Sequence, residues 1–154
     1  MKVIAEYIWI DGNGGLRSKT RTCDLSSIDN GYIDPLNYKV YKDWNYDGSS
    51  TNQADGSDSE VIIKAVRVCN DPFRNTFTSV LVLCEAYYPD GRPVATNTRA
   101  AAKKIFDTHE KLKPWYGIEQ EFFIMRSKYI RSKVSNHPVG ITSIDMAEPQ
   151  GQYY

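Results

Sequence analysis

VIAEYIWI (residues 3–10), DGNGG (residues 11–15) and LRSKTRTC (residues 16–23) follow one another near the start of the chain. The first run is apolar and rich in β-branched and aromatic residues, and the third shows much alternation, so both favour strands. The middle five residues contain an Asp-Gly and an Asn-Gly dipeptide, which are strong short-range signals for a tight turn. The segment therefore predicts a β-hairpin.

Further strands are predicted downstream of this hairpin. Residues 24–40 are rich in turn formers and indicate a connection, and residues 44–51 (WNYDGSST) indicate a turn-rich loop. Residues 60–68 predict a strand with an irregular register, whose core side comprises Val61, Ile63, Val66 and Val68. Residues 79–88 are continuously apolar at VLVLC, as in a central buried strand, and residues 92–95 could pair back on it.

One helix is predicted after these strands. Asn97 or Thr98 is suited to cap it, and Pro114 ends it. Its apolar stripe indicates a packing surface and comprises Ala101, Ala102, Ile105, Phe106 and Leu112. The pattern of hairpin, loop, two strands, helix and strand predicts an α+β fold with a mixed sheet and one crossing helix.

The composition narrows the class of protein. The 154 residues suit one domain, or one domain and part of another, and 41% apolar residues can form a sizeable core. Because 19 basic residues balance 19 acidic ones, we expect neither nucleic acid nor a membrane surface as partner. No run of the sequence has the length or apolarity of a membrane span. Three unpaired cysteines, with Cys69 and Cys84 in apolar runs, indicate buried thiols in a reducing, cytoplasmic setting.

Residues 115–124 (WYGIEQEFFI) hold a pair of acidic residues in a β-prone setting. Alternate residues of a strand share a face, so Glu119 and Glu121 would point the same way with Cα atoms about 6.5–7 Å apart. Two such carboxylates repel each other unless a cation lies between them, and Mg²⁺ or Mn²⁺ prefers oxygen ligands. The pair predicts half of a metal site; a solvated edge strand is the alternative.

Several segments together resemble eukaryotic-type glutamine synthetase. They occur in the order and at the spacing of that family and cover residues 3–125 continuously, with a weaker return at residues 148–154. The matching segments are AEYIWIDG (5–12), LRSKTRT (16–22), WNYDGSST (44–51), DPFR (71–74), VLCE (82–85), TN (96–97) and PWYGIEQE (114–121).

The resemblance implies a fold and a domain division. Residues 1–95 would form a β-grasp domain with the mixed sheet, and the crossing helix would follow it. Residues 96–154 would begin an incomplete catalytic domain, with the strand at residues 115–124 as its first strand.

The resemblance also implies a reaction: ATP phosphorylates the γ-carboxylate of L-glutamate, and ammonia displaces phosphate from γ-glutamyl phosphate to give L-glutamine. Asp47 matches the family's ammonium-binding aspartate, which also helps to deprotonate ammonium. Ser49 and Ser50 match the same loop and would shape it. Glu119 and Glu121 match metal ligands for Mg²⁺ or Mn²⁺. In this family the Asp47 loop reaches a neighbouring subunit's site, so other glutamine synthetase subunits are expected partners.

The match also implies what the chain lacks. The family's other metal glutamates and the arginines that bind ATP and phosphate lie beyond the matched segments, so we expect no nucleotide site and no activity of this chain alone. Three hypotheses remain open. The chain is part of an ATP-dependent ligase; it is a non-catalytic module that assembles with full-length subunits; or it is a ubiquitin-like module that binds partners through its sheet edge.

Overall fold

The structure is a computed structural model that describes residues 1–25, 34–74 and 78–122, together with the backbone of residues 125–130 and 133–138. The chain divides into two compact units, Met1–Lys113 and Pro114–Tyr154. The first unit contains β1 (Lys2–Ile10), β2 (Leu16–Asp24), β3 (Trp44–Asp47), β4 (Glu60–Asn70), β5 (Ser79–Tyr87) and α1 (Thr98–Thr108). Short 3₁₀ turns span Tyr38–Val40, Gly48–Thr51 and Glu110–Leu112.

The first unit is built on a five-stranded mixed sheet in the order β2-β1-β5-β4-β3. β1 and β5 run parallel, and the other neighbours run antiparallel. The predicted hairpin is confirmed, since Ile10 pairs with Leu16 and the Asp11 amide donates to the Gly15 carbonyl at 2.8 Å. β5 lies at the centre of the sheet, as its apolar run predicts. The predicted α+β class with a mixed sheet is therefore confirmed.

The irregular register predicted for β4 is present. Its pairing with β5 shifts between Ala65 and Arg67, as a β-bulge requires. Val61, Ile63 and Val68 are buried, whereas Val66, at the bulge, is only half-buried. Residues 92–95 pair back on β5 as expected, through a single bridge between Tyr87 and Pro93.

The core lies on one face of the sheet. Alternate residues of β1 are buried there, and Tyr7 is fully excluded from solvent. Aromatic contacts from β3 close this face: the Tyr7 and Trp44 rings meet edge to face at 5.4 Å, and the Trp9 and Tyr46 rings stack at 4.3 Å. β3 therefore contributes hydrogen bonds at the sheet edge, and its aromatic side chains cover part of the core.

The opposite face of the sheet is also apolar but lies open. Ile10, Leu16 and Leu83 are 48%, 75% and 44% exposed. Ile10 and Leu16 are paired residues, and Leu83 pairs with Ile8 on the neighbouring strand. These side chains form a continuous stripe across three strands.

The predicted helix is present, but its predicted packing is wrong. Asn97 caps α1, since its side chain accepts from the Ala100 amide at 3.2 Å. No residue of α1 is buried, and Ile105 and Leu112 are 60% and 74% exposed. Within the described part of the chain, the apolar stripe of the helix therefore does not cover the sheet. The spacing of hydrophobic residues predicts that a helix forms, but it does not predict which surface the helix packs against.

Two expectations about cysteine have different outcomes. Cys84 is largely enclosed, and burial raises the pKa of its thiol to about 12. Cys69 is exposed, so its predicted burial is wrong. It lies on β4 beyond the bulge, and its partner Leu81 is half-buried. A local apolar run does not reveal which face of a strand is covered.

The strand predicted at residues 115–124 is not observed in its described part. Residues 113–122 form no strand or helix, and Trp115 and Ile118 are 97% and 93% exposed. A strand requires a hydrogen-bonded neighbour, and β propensity alone cannot supply one. Residues 123 and 124 lie outside the described part. In the described part of the second unit, β6 (Met125–Ile130) and β7 (Lys133–Pro138) pair antiparallel as a hairpin.

Candidate functional site

Asp47 is the last residue of β3, at one edge of the sheet. The sequence predicted a loop over residues 44–51, but Trp44 to Asp47 pair antiparallel with β4, and Asp47 lies opposite Glu60. The prediction missed this short strand because its pairing partner lies 13 or more residues further along the chain. Residues 48–51 do form the expected turn, in a 3₁₀ conformation.

Hydrogen bonds within the turn hold the Asp47 carboxylate. Asp47 is the N-cap, and its Oδ1 accepts from the Ser49 amide at 2.9 Å and from the Ser49 hydroxyl at 2.6 Å. The Ser50 hydroxyl donates to the Asp47 carbonyl at 2.9 Å. The turn thus brings together the three site residues predicted for this loop, Asp47, Ser49 and Ser50.

The Asp47 carboxylate is an exposed, fixed negative charge. The side-chain and backbone hydrogen bonds from Ser49, with a further side-chain bond from Ser59, hold the pKa of Asp47 below its usual range. A carboxylate with a lowered pKa stays ionised at neutral pH, which favours binding a cation and weakens it as a proton acceptor.

Close packing fixes the turn on the sheet. Gly48 is buried, and its amide donates to the Ser59 carbonyl at 2.6 Å. A Cβ on Gly48 would lie 2.5 Å from Val61 Cγ2 and 2.9 Å from Ala54 Cβ. Residue 48 therefore must be glycine for the turn to approach β4 this closely.

The β1–β2 turn supports the Asp47 turn from the other side. The Gly12 amide donates to the Thr51 carbonyl at 2.8 Å, and the Asn52 side chain donates to that of Asn13 at 3.3 Å. Asn52 ends the turn in the left-handed conformation, with φ of 56° and ψ of 38°. A Cβ on Gly12 would lie 2.0 Å from the Asn52 carbonyl oxygen, so the two turns meet backbone to backbone.

Asp11 organises the supporting turn. It is only 3% exposed, and its carboxylate accepts from the amides of Asn13 and Gly15 at 2.9 Å each. Arg17 completes the arrangement through an ion pair at 2.8 Å. The Arg17 hydrogen bond and these amides hold the pKa of Asp11 below its usual range. An ionised Asp11 thus stabilises the shape on which the Asp47 turn rests.

Sequence reasoning missed the supporting residues. The Asp-Gly dipeptide at residues 11–12 predicted the hairpin turn, but nothing in the local sequence indicated that Gly12 contacts a turn some 40 residues away. Gln53, which is 8% exposed, was also missed. Its signal would have been a polar residue directly after a tight turn.

Glu119 and Glu121 lie in the second unit, and both are exposed. Since residues 113–122 form no strand, the predicted common face for these two carboxylates is not supported. No group of three or more His, Cys, Asp or Glu side chains suited to holding a metal ion occurs among the described residues. Two exposed carboxylates do not by themselves fit a complete Mg²⁺ or Mn²⁺ site, which needs about six oxygen ligands.

Comparison with known proteins gives closely similar sequences. The chain is 46% identical over 156 residues to "Glutamine synthetase root isozyme 4" of Zea mays and to "Glutamine synthetase cytosolic isozyme" of Medicago sativa; each match covers 99% of this chain and 40% of the relative. It is 41% identical over 153 residues to "Glutamine synthetase" of Agaricus bisporus, covering 99% of this chain and 39% of the relative. No protein-family model matches the chain.

These relatives share one enzyme class, the glutamine-forming synthetases that their names state. The identity extends over nearly every residue of this chain, so the chain is homologous to the part of these glutamine synthetases that it matches. It spans about two fifths of the length of the relatives it matches. Among the described residues, no helix combines the length and apolarity needed to cross a membrane.

Proposed function

We propose that this chain supplies the amino-terminal part of a glutamine synthetase, which forms L-glutamine from glutamate, ammonia and ATP via γ-glutamyl phosphate. The observation that carries the proposal is identity of 41–46% over 99% of the chain with glutamine synthetases. In this proposal, residues 1–95 form a β-grasp domain and residues 96–154 begin the catalytic domain. The five-stranded mixed sheet supports the first assignment.

Asp47 is proposed to bind ammonium. Its carboxylate is exposed at the sheet edge and stays ionised, so it attracts a cation. Its lowered pKa makes it a weak base, so the transfer of a proton from ammonium to Asp47 is unfavourable by itself; the transfer is drawn forward when the ammonia so formed attacks γ-glutamyl phosphate and displaces phosphate. Ser49 and Ser50 keep the carboxylate and its turn in shape.

Glu119 and Glu121 are proposed to supply two oxygen ligands to a site for Mg²⁺ or Mn²⁺. A divalent cation there would neutralise charge that develops on phosphate and carboxylate oxygens. The remaining ligands and the groups that bind ATP would come from the part of a glutamine synthetase that this chain does not span. The two glutamates are exposed and open to such further residues.

The site is proposed to form between subunits of a cytoplasmic oligomer. Asp47, Ser49 and Ser50 are all exposed at the sheet edge, where a neighbouring subunit could reach them. Cytosolic isozymes occur among the relatives, which supports the cytoplasmic assignment.

The function is tested by assembling the chain with the complementary part of the Medicago sativa isozyme and measuring ATP-dependent glutamine formation. Asp47→Ala should lower activity by about 10²-fold or more, because a positioned acid–base group typically contributes 10²–10⁴-fold. Asp55→Ala is the matched control, since Asp55 is an exposed aspartate that accepts from the Ser57 amide at 2.9 Å and hydroxyl at 2.7 Å. Equal losses in the two variants would refute the role of Asp47.

The metal assignment needs its own measurement. Glu119→Gln and Glu121→Gln should each weaken Mn²⁺ binding to the assembled enzyme, measured by calorimetry. Glu110→Gln, at another exposed glutamate, should leave the affinity unchanged. Unaltered Mn²⁺ affinity in the Glu119→Gln/Glu121→Gln double variant would refute the assignment.

The open apolar face of the sheet favours a second candidate function, a non-catalytic module that assembles with glutamine synthetase subunits. Ile8, Leu16 and Leu83 line a groove of about 230 Å³ on this face, and such surfaces commonly mark protein contacts. Leu16→Asp should then abolish co-purification with full-length Medicago sativa subunits. Asn70→Asp, at an exposed residue that ends β4, should leave co-purification unchanged. If the Leu16→Asp variant still co-purifies with the full-length subunits, this candidate function is contradicted.

A further inference from the structure

Gln53 is a buried amide directly behind the Asp47 turn. It is 8% exposed and follows Asn52, the left-handed residue that ends the turn. The backbone N–H of Gln53 donates to the Gly48 carbonyl at 2.9 Å, so the backbone of Gln53 also closes the turn. A polar side chain at such burial must be hydrogen-bonded to be tolerated, and Gln53 is.

The Gln53 side chain joins three separate segments. Its Oε1 accepts from the Tyr46 hydroxyl on β3. Its Nε2 donates to the Ile10 carbonyl at the end of β1, at 3.0 Å, and to the Thr96 hydroxyl at 3.2 Å. Thr96 directly precedes Asn97, the residue that caps α1.

We propose that Gln53 is the positioning residue of the Asp47 turn, and that it ties this turn to β1 and to the segment leading into α1. This inference rests on the proposed function, because that function assigns ammonium binding to Asp47 and so makes the position of its carboxylate important. An amide is the side chain that suits the position, since one end must accept and the other must donate twice. A carboxylate would oppose the Ile10 carbonyl, and an apolar side chain would leave three polar groups without their partner.

The arrangement goes beyond general packing. Tyr46 lies one residue before Asp47 and stacks on Trp9, so a shift of Gln53 moves the strand end that carries the carboxylate. Thr96 lies at the boundary predicted between the two domains. Through Gln53, the start of the predicted catalytic domain therefore sets the position of a residue of the amino-terminal domain.

The test uses Gln53→Leu, which keeps the approximate volume and removes all three side-chain hydrogen bonds. Carbon-13 NMR of the full chain measures the pKa of the Asp47 carboxylate. It should rise toward the ordinary value of about 3.9, because the turn no longer holds Ser49 against the carboxylate. Val3→Ala, at a fully buried residue of β1 far from the turn, is the stability control and should leave the pKa of Asp47 unchanged.

The assembled enzyme gives an independent readout. Gln53→Leu should raise the KM for ammonia about tenfold, because only part of the effect of losing three hydrogen bonds reaches the Asp47 carboxylate, and the KM for ATP should be unchanged. Val3→Ala should move neither constant. A merely structural role for Gln53 would affect both substrates alike, and that result would overturn the proposal.

Two milder variants decide the matter if Gln53→Leu does not fold. Tyr46→Phe and Thr96→Val each remove one partner of Gln53, and each should shift the pKa of Asp47 in the same direction by less. An unchanged pKa in every foldable variant overturns the proposal, whatever the activity. If the assembled enzyme is inactive with the unaltered chain, the proposed function fails, and the NMR titration still decides the role of Gln53.

Discussion

Replacing Gly12 by alanine tests the contact between the two turns. The new Cβ would lie 2.0 Å from the Asn52 carbonyl oxygen, 2.6 Å from the Asn52 carbonyl carbon and 2.9 Å from the Thr51 carbonyl oxygen. All three atoms belong to the backbone, so no side-chain rotation relieves the clash. The β1–β2 turn would have to move off the Asp47 turn.

The expected cost follows from two contributions. Overpacking of a close contact costs about 1–3 kcal/mol. Separating the turns also breaks the 2.8 Å hydrogen bond from the Gly12 amide to the Thr51 carbonyl, which contributes about 1 kcal/mol. We therefore expect Gly12→Ala to lower the free energy of unfolding by about 2–4 kcal/mol.

Urea denaturation of the full chain measures this cost. With a slope of about 2 kcal/mol per molar urea, the midpoint should fall by about 1–2 M. Gly56→Ala is the matched control, because a Cβ on Gly56 meets nothing within 4 Å; its unfolding free energy should change by less than about 0.5 kcal/mol. If Gly12→Ala and Gly56→Ala unfold at the same urea concentration, the two turns do not support each other as described.

Three further predictions concern charge and packing. The pKa of Asp47 is lowered in the folded state, so the ionised carboxylate stabilises the fold. The difference in unfolding free energy between the unaltered chain and Asp47→Asn should therefore be present above pH of about 4 and shrink as pH falls through the folded pKa. Urea titrations at several pH values measure this difference. Burial raises the pKa of both Tyr7 and Tyr46 to about 12, so ultraviolet titration should show both hydroxyls protonated near pH 11. The stability that these tyrosines contribute is complete below pH of about 10 and is lost as pH rises toward 12. Ionisation of both hydroxyls near pH 10 would contradict their burial. Ile63→Ala should lower the free energy of unfolding by about 2–5 kcal/mol, since Ile63 is fully buried, whereas Leu16→Ala, at a residue 75% exposed, should cost little in urea denaturation.

Local patterns in the sequence were sufficient for the elements whose signals are short-ranged. The hairpin follows from turn dipeptides between two β-prone runs, and the helix start follows from the capping side chain of Asn97. The bulge in β4 followed from a break in alternation, and the central place of β5 followed from its continuous apolar run. In each case the physical cause lies within a few residues of the element.

Partners distant along the chain decided the rest. Residues 44–47 became a strand because β4 pairs with them, and the described residues 115–122 did not become one, although their β propensity is high. For the candidate site, the sequence with its resemblance to a family selected Asp47, Ser49 and Ser50, whereas only the tertiary structure placed Gly12 and Gln53 around them. Propensity and turn chemistry act between neighbours in sequence, but burial and hydrogen-bond partners depend on segments about 40 residues apart, which only the folded chain brings together.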